Sequence, residues 1–317
     1  MRYIKDLKEG DKISNEIYLC KSKQTLTTKN GRNYDSLILQ DKTGTIDAKI
    51  WDLTREIGQY EAVDFVHIDA MVINYQDSPQ LNISRIYKAR EGEYYPEDYF
   101  PMSNKDIEVM YKQVKEYVAA IKDTNLKTLV EHFFIQDATF VKAFKNHTAA
   151  KNIHHSFVGG LMEHTLSVVK LCEYYAINYP VINKDLLIAA ALFHDIGKMD
   201  ELSSFPENDY TDDGQLLGHI FIGASKVKEQ IKKMDKFPAK LENELIHCIL
   251  AHHGELEYGS PKKPAIIEAL ALHFADNTDA KLQTMTEVLS AADSKSEWMG
   301  YQKMFESNIR RSTKTKE

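Results

Sequence analysis
The chain of 317 residues is longer than one typical domain, and its ordinary apolar content of 43% provides a sizeable core and excludes wholesale disorder. A net charge of −7 excludes a protein that coats itself in nucleic acid through its global field and leaves only local basic patches for such contact. Three widely spaced cysteines, Cys20, Cys172 and Cys248, exclude a disulfide framework, and no run approaches the ~18 apolar residues that span a bilayer.

The segment Met1-Arg2-Tyr3-Ile4-Lys5-Asp6 holds no apolar core of the signal-peptide kind, so the chain is expected to be cytoplasmic, without a membrane partner. Up to about residue 90, short β-branched and aromatic runs alternate with turns. Tyr34–Leu39, Thr45–Trp51, Ala62–Asn74 and Gln80–Tyr87 read as strands. Lys29-Asn30-Gly31-Arg32 and Asp41-Lys42-Thr43-Gly44 read as turns. Roughly five strands in this length predict a small closed barrel of the OB kind.

Residues 91–103 are acidic, aromatic and broken by Pro96 and Pro101, which marks a linker. Ser103 is the expected cap of a helix starting near Asn104, with Asp106 behind it. From there to about residue 300 the apolar spacing is helical. Helices are expected over Leu161–Tyr179, Lys184–Phe193, His219–Met234, Ala239–Ala251 and Pro264–Asp279. Residues 301–317 form a helical, basic tail, polar and frayed from Asn308 on. The apolar Trp298-Met299-Gly300-Tyr301 before it is suited to docking, which leaves a homo-oligomer open.

Ten of the twelve histidines lie beyond residue 140. The apolar helix Ile188–Phe193 runs straight into His194-Asp195-Ile196-Gly197-Lys198. A core helix cannot end in two ionisable groups unless something neutralises them, and a divalent metal does. Adjacent helical positions diverge by about 100°, so both side chains share one site only if the helix breaks, as Gly197 would allow. His164, His219, His252, His253 and Asp276 are further ligand candidates at helix ends or inside apolar helices.

Histidine nitrogens with few carboxylates suit Mn, Fe, Co, Ni or Zn. Seven side chains exceed the needs of one ion, so two ions sharing Asp195 is the economical arrangement. A lone histidine on an amphipathic helix is more often a core or surface residue, and His67, His132, His147, His247 and His273 are placed there.

The pattern of a lone His, a His-Asp pair, later histidines and a final Asp resembles the HD-domain metal-dependent phosphohydrolases. The string from His154 to Val168, His154-His155-Ser156-Phe157-Val158-Gly159-Gly160-Leu161-Met162-Glu163-His164-Thr165-Leu166-Ser167-Val168, is similar to a narrower group. These are the YhaM-type 3′→5′ exoribonucleases of Gram-positive bacteria, in which an OB-fold domain precedes an HD domain. The resemblance covers nearly the whole chain. It implies a multidomain α+β protein, with an all-β OB-fold barrel at 1–90 and an all-α HD bundle at 104–300. It also implies manganese- or cobalt-type activation and attack on single-stranded 3′ ends. Carried over by position, His164, His194, Asp195 and Asp276 match ligands common to HD domains. His219, His252 and His253 match the added histidines of the two-metal subgroup. The glutamate that precedes the first ligand in some three-metal relatives would fall at Gly160, which argues against a third ion.

A metal pair activates water, so no serine, threonine or cysteine nucleophile is needed. Lys198 is a candidate for neutralising a phosphate oxygen, against a solvated lysine at a helix end. His155 is either a leaving-group acid or a buried structural residue, the second being commoner. In the barrel, Lys21, Lys23, Lys29 and Arg32 cluster without an intervening acid, with Tyr34, Trp51 and Tyr75 on nearby strands. Cationic grooves with stacking aromatics hold single-stranded RNA or DNA, whereas the same residues could also be a solvated hairpin and core aromatics. Two alternatives to an exoribonuclease stay open: a phosphohydrolase of small nucleotides, and a single-strand-binding protein with a structural metal. The Gly-Tyr-Pro signature of the cyclic-di-GMP group is absent after His252-His253.

Overall fold
A computed structural model describes residues 1–53, 57–76, 78–95, 98–100, 102–103, 105–151, 155–291 and 296–313. Pro96, Pro101, Asn104 and His154, all named above, lie outside the described residues. The chain divides into two compact units: Met1–Met102 with Ser204–Asp209, and Ser103–Ser203 with Tyr210–Glu317.

The first unit is a closed five-stranded barrel. Its strands are β1 (Lys12–Thr27), β2 (Asn33–Asp41), β3 (Gly44–Ile50), β4 (Phe65–Tyr75) and β5 (Ser78–Lys88), in the order β1-β2-β3-β5-β4. Neighbours are antiparallel except β3 and β5, whose parallel pairing of Asp47–Lys49 with Gln80–Asn82 closes the barrel. This is the OB-like architecture. Alternation does the sorting: Leu37 and Leu39 on β2 and Ile46, Ala48 and Ile50 on β3 are buried, and the residues between them are not. β1 serves two neighbours, pairing with β4 over Lys12–Leu19 and with β2 over Leu19–Thr27. Register shifts at Ile13/Glu16 and Cys20/Ser22 bend it between them.

The segment 91–103 is not a free linker. Tyr94 stacks on Phe65 with centroids 3.7 Å apart, and Tyr99 and Phe100 are buried. Aromatic rings of this size gain more from the barrel wall than from water.

The second unit is helical. Its helices are α1 (Ile107–Ala120), α2 (Thr124–Glu131), α3 (Ala138–Asn146), α4 (Gly160–Asn178), α5 (Lys184–Phe193), α6 (Lys198–Glu201), α7 (Asp212–Lys233), α8 (Ala239–Ala251) and α9 (Ile267–Ala291). Every residue of α5 from Leu186 to Phe193 is buried, and α5 packs against α2, α4, α8 and α9. It is the axle of the bundle, which is why its sequence is apolar on all sides. No helix among the described residues is long and apolar enough to cross a membrane.

Three expectations about these elements need correction. The cap of α1 is Asp106, whose carboxylate accepts from the backbone N–H groups of Glu108 and Val109 at 2.8 and 3.0 Å. Ser103 instead accepts from Lys105 N and donates to Glu163. α9 runs to Ala291, well past Asp279, and Thr284 and Thr286 within the extension donate their hydroxyls to carbonyls four residues earlier. The tail is not helical: β6 (Trp298–Gln302) and β7 (Ser307–Arg310) form a hairpin. Left-handed backbone at Gly300 and Glu306 suits the bends of a hairpin and not a helix. Arg310 braces it over the Trp298 ring and against Glu297.

Candidate metal centre
The site lies inside the helical unit. α5 delivers His194 at its C-terminal cap, and Asp195 follows on the next residue. The chain does not swing out here: Gly197 is right-handed, with φ −65. Gly197 serves close approach instead. A Cβ on it would lie 2.0 Å from the carbonyl oxygen of His219 and 2.7 Å from Gly223 N. The absence of a side chain thus lets the start of α6 lie directly against α7. Within α7, Gly218 takes φ 72 and ψ 154, a kink that restarts the helix at His219. α4 supplies His164, the end of α8 supplies His252 and His253, and α9 supplies Asp276.

Six of the seven ligand candidates form two triads, each with ligating atoms within 4.8 Å of one another: His164, His194 and Asp276, and His219, His252 and His253; His155, His164 and Asp279 form a third such group. Asp195 lies between them. Its Oδ2 is 3.3 Å from His164 Nε2 and 3.5 Å from His194 Nε2. Its Oδ1 is 3.6 Å from His219 Nε2 and 3.5 Å from His252 Nε2. The structure therefore brings together all seven residues named from the sequence.

The outer nitrogens explain the direction of the inner ones. His194 Nδ1 donates to Ala191 O, His252 Nδ1 to Ile249 O and His253 Nδ1 to Tyr258 O, each at 2.7 Å. His164 Nδ1 donates to Asp279 Oδ2 at 2.7 Å, and His219 Nδ1 to Glu201 Oε1 at 2.9 Å. With Nδ1 engaged outwards in every ring, Nε2 is the nitrogen turned to the centre. Those of His164 and His194 face each other at 3.2 Å. His219 Nε2, His252 Nε2 and Asp195 Oδ1 are buried without a hydrogen-bond partner. Buried acceptors that converge in this way fit a divalent metal.

The electrostatics agree. Burial disfavours charge on His164, yet the carboxylates of Asp195, Asp276 and Asp279 outweigh it and hold the ring well above its ordinary 6.5. A field that favours a proton there favours a divalent ion more. On His194 burial dominates and holds the ring down to about 4. Burial, then the neighbouring rings of His252 and His219, hold His253 down to about 3. Rings kept neutral are rings ready to ligate. Asp276 is pulled low by His164 against its own burial.

Lys198 is neither solvated nor at a helix C-terminus. It begins α6, is half-buried, and places Nζ 2.7 Å from Asp195 Oδ2. Asp195 holds it charged although burial opposes this. His155 is buried, left-handed at φ 59, and donates from Nε2 to Asp279 Oδ2 at 3.1 Å. Gly160 makes room for it, since a Cβ there would lie 1.9 Å from the His155 carbonyl oxygen. The histidines set aside earlier are all structural in kind. His67 pairs with Glu93, His147 sits between two carbonyls, His247 accepts from Ala265 N, and His273 donates to the carbonyl of His252. His132 meets Phe133 edge-on.

Two site residues were missed in the sequence, Asp279 and Glu201. Asp279 had a signal: it stands three residues after Asp276, on the same face of α9. Glu201 had none, because its partner His219 lies across the Ser204–Asp209 excursion.

The basic and aromatic residues of the barrel are only partly gathered. Tyr34 and Trp51 stack with centroids 4.6 Å apart, and Trp51 is 48% exposed. Lys29 and Arg32 are exposed in the turn before β2. Lys23 is already engaged, donating to Tyr60 O at 2.8 Å with its ammonium 4.2 Å from the centre of that ring. Lys21 is exposed at the β1 bulge, about 16 Å along the strand from Leu26, the partner of Tyr34. Tyr75 is exposed at the end of β4.

Residues 161–281 match the family model described as the HD domain, and the helical unit holds His/Asp clusters that could hold a metal ion. Solved structures similar to parts of the chain fall on both units. The second OB-fold domain of replication protein A from Methanococcus maripaludis is 18% identical, over 29% of this chain and 98% of that one, with a TM-score of 0.22. The OB domain of a Thermoplasma acidophilum protein is 18% identical, over 30% and 91%, with a TM-score of 0.23. The HD domain of the L. monocytogenes phosphodiesterase PgpH, in complex with cyclic-di-AMP, is 21% identical, over 43% and 69%, with a TM-score of 0.28.

Proposed function
We propose that the protein is a metal-dependent 3′→5′ exoribonuclease that removes nucleotides from single-stranded RNA. The observation that carries this is the presence in one chain of an OB-like barrel bearing an exposed Tyr34–Trp51 stack and an Asp195-centred histidine cluster. A barrel of this kind holds strands by stacking, at ~1–3 kcal/mol per base. Two divalent ions, manganese in this proposal, would supply activated water and absorb charge developing on the attacked phosphate. His164, His194 and Asp276 would hold one ion, His219, His252 and His253 the other, with Asp195 between the two groups. Lys198 fixes the Asp195 carboxylate and keeps a positive charge beside the centre. Tyr34 and Trp51 bind bases, and the Lys29–Arg32 turn and Lys21 bind phosphates, whereas Lys23 shapes the barrel.

The test is digestion of an end-labelled duplex with a 3′ single-stranded tail, beside matched single strands of RNA and DNA, with Mn²⁺. Release of mononucleotides from the RNA 3′ end, stopping at the duplex, is expected. Asp195→Ala should abolish it. Ladders that persist in Asp195→Ala, or cleavage confined to small nucleotides, would overturn the proposal.

A further inference from the structure
Of the five ligand imidazoles, three rest their outer nitrogen on a backbone carbonyl: His194, His252 and His253. The other two rest on carboxylates, and they fall one to each triad: His164 on Asp279, His219 on Glu201. A carboxylate is a stronger acceptor than a carbonyl. It makes the imidazole it holds more basic and locks its tautomer.

Both carboxylates are built into place. Asp279 Oδ2 accepts from His164 and also from His155, which is kept in its left-handed conformation by the space Gly160 leaves. Glu201 Oε1 accepts from the His219 ring and from His219 N, 3.0 Å away, the first free N–H after the Gly218 kink. Asp279 meets its histidine in the first triad and Glu201 its histidine in the second.

We propose that Asp279 and Glu201 are positioning residues that set metal affinity independently at two positions, Asp279 through His164 and Glu201 through His219. His155 belongs to the Asp279 arm as the outermost member of a chain His155–Asp279–His164. It is a positioning residue and takes no part in proton transfer to a leaving group. This rests on the two-ion centre proposed above.

The experiment titrates the full-length metal-free protein with Co²⁺, following visible absorption, with bound metal counted by mass spectrometry. Wild-type protein should take up two ions. Asp279→Asn and Glu201→Gln keep the shapes and remove the charges. Each should weaken one ion by 10- to 100-fold and leave the other unchanged, and the pair together should weaken both. His155→Asn, which tolerates left-handed backbone, should weaken the Asp279-side ion by less, and supplies a second reading should Asp279→Asn not fold.

A double-mutant cycle separates positioning from general damage. In a His164→Ala background Asp279→Asn should cost nothing further, whereas in a His219→Ala background it should cost its full amount. Equal weakening of both ions by either variant, or full cost in the His164→Ala background, would overturn the proposal. So would a third ion lost in Asp279→Asn with the first two intact, which would make Asp279 a ligand. Fewer than two ions on the wild-type protein would overturn the two-ion centre itself, and the inference with it.

Discussion

Asp195 turns one oxygen towards each histidine triad, and no other described residue does so. Asp195→Asn keeps the volume but replaces one oxygen with a donor that faces ligand lone pairs. We expect it to lower kcat for RNA by at least about a thousandfold, measured under single-turnover conditions, because it would remove the shared ligand of the proposed two-ion centre. Away from the centre, His147 carries a pH dependence. Burial lowers its pKa below the ordinary 6.5, although the carbonyls of Thr148 and Leu202 would favour the charged ring. The folded protein therefore binds fewer protons here than the unfolded chain. Stability from this residue is complete above about pH 6.5 and is lost as pH falls from there towards the lowered folded value. The difference between wild type and His147→Gln in denaturant midpoint should shrink across that window as pH falls. A difference that does not change with pH would show that His147 does not titrate on unfolding.

Among the elements, the junction of α6 with α7 has least tolerance. Gly197→Ala would push a methyl carbon to within 2.0 Å of His219 O, so the helices must separate and carry His219 away from Asp195. We expect a loss of at least about 2 kcal/mol in unfolding free energy, as for overpacked cores, together with loss of the ion held by His219, His252 and His253. Unchanged melting would mean that the junction gives way more easily than its geometry implies. The same junction marks what sequence alone could convey. His194–Asp195 was legible because two ionisable groups end an apolar helix, a conflict visible along the chain. Gly197 was legible as important but not for its reason, since its demand for space comes from a carbonyl 22 positions later. Glu201 was illegible for the same cause. The C-terminal hairpin was missed because its apolar spacing fits either period over so few residues.

For the whole molecule, strand binding and cutting are assigned to different units, so they should separate kinetically. Trp51→Ala removes one ring of an exposed stack far in sequence from any ligand candidate. We expect KM for single-stranded RNA to rise about tenfold, the equivalent of ~1.4 kcal/mol for one stacked base, with kcat unchanged. A fall in kcat instead would mean that the stack serves the barrel's fold. Arg32→Gln should reduce the slope of log KM against log salt concentration by less than one unit, as one phosphate contact would.

The carboxylates around the centre have a consequence for encounter with a polyanion. Histidines aside, the carboxylates of Asp195, Glu201, Asp276 and Asp279 stand against the single ammonium of Lys198. That leaves three formal negative charges at the point where a phosphate must arrive, in a chain that is already at −7. Two divalent ions turn the local count to one positive. In the proposed two-ion centre, metal uptake would therefore remove a negative field that opposes a strand end, and would bear on whether that end arrives as well as on whether it is cut.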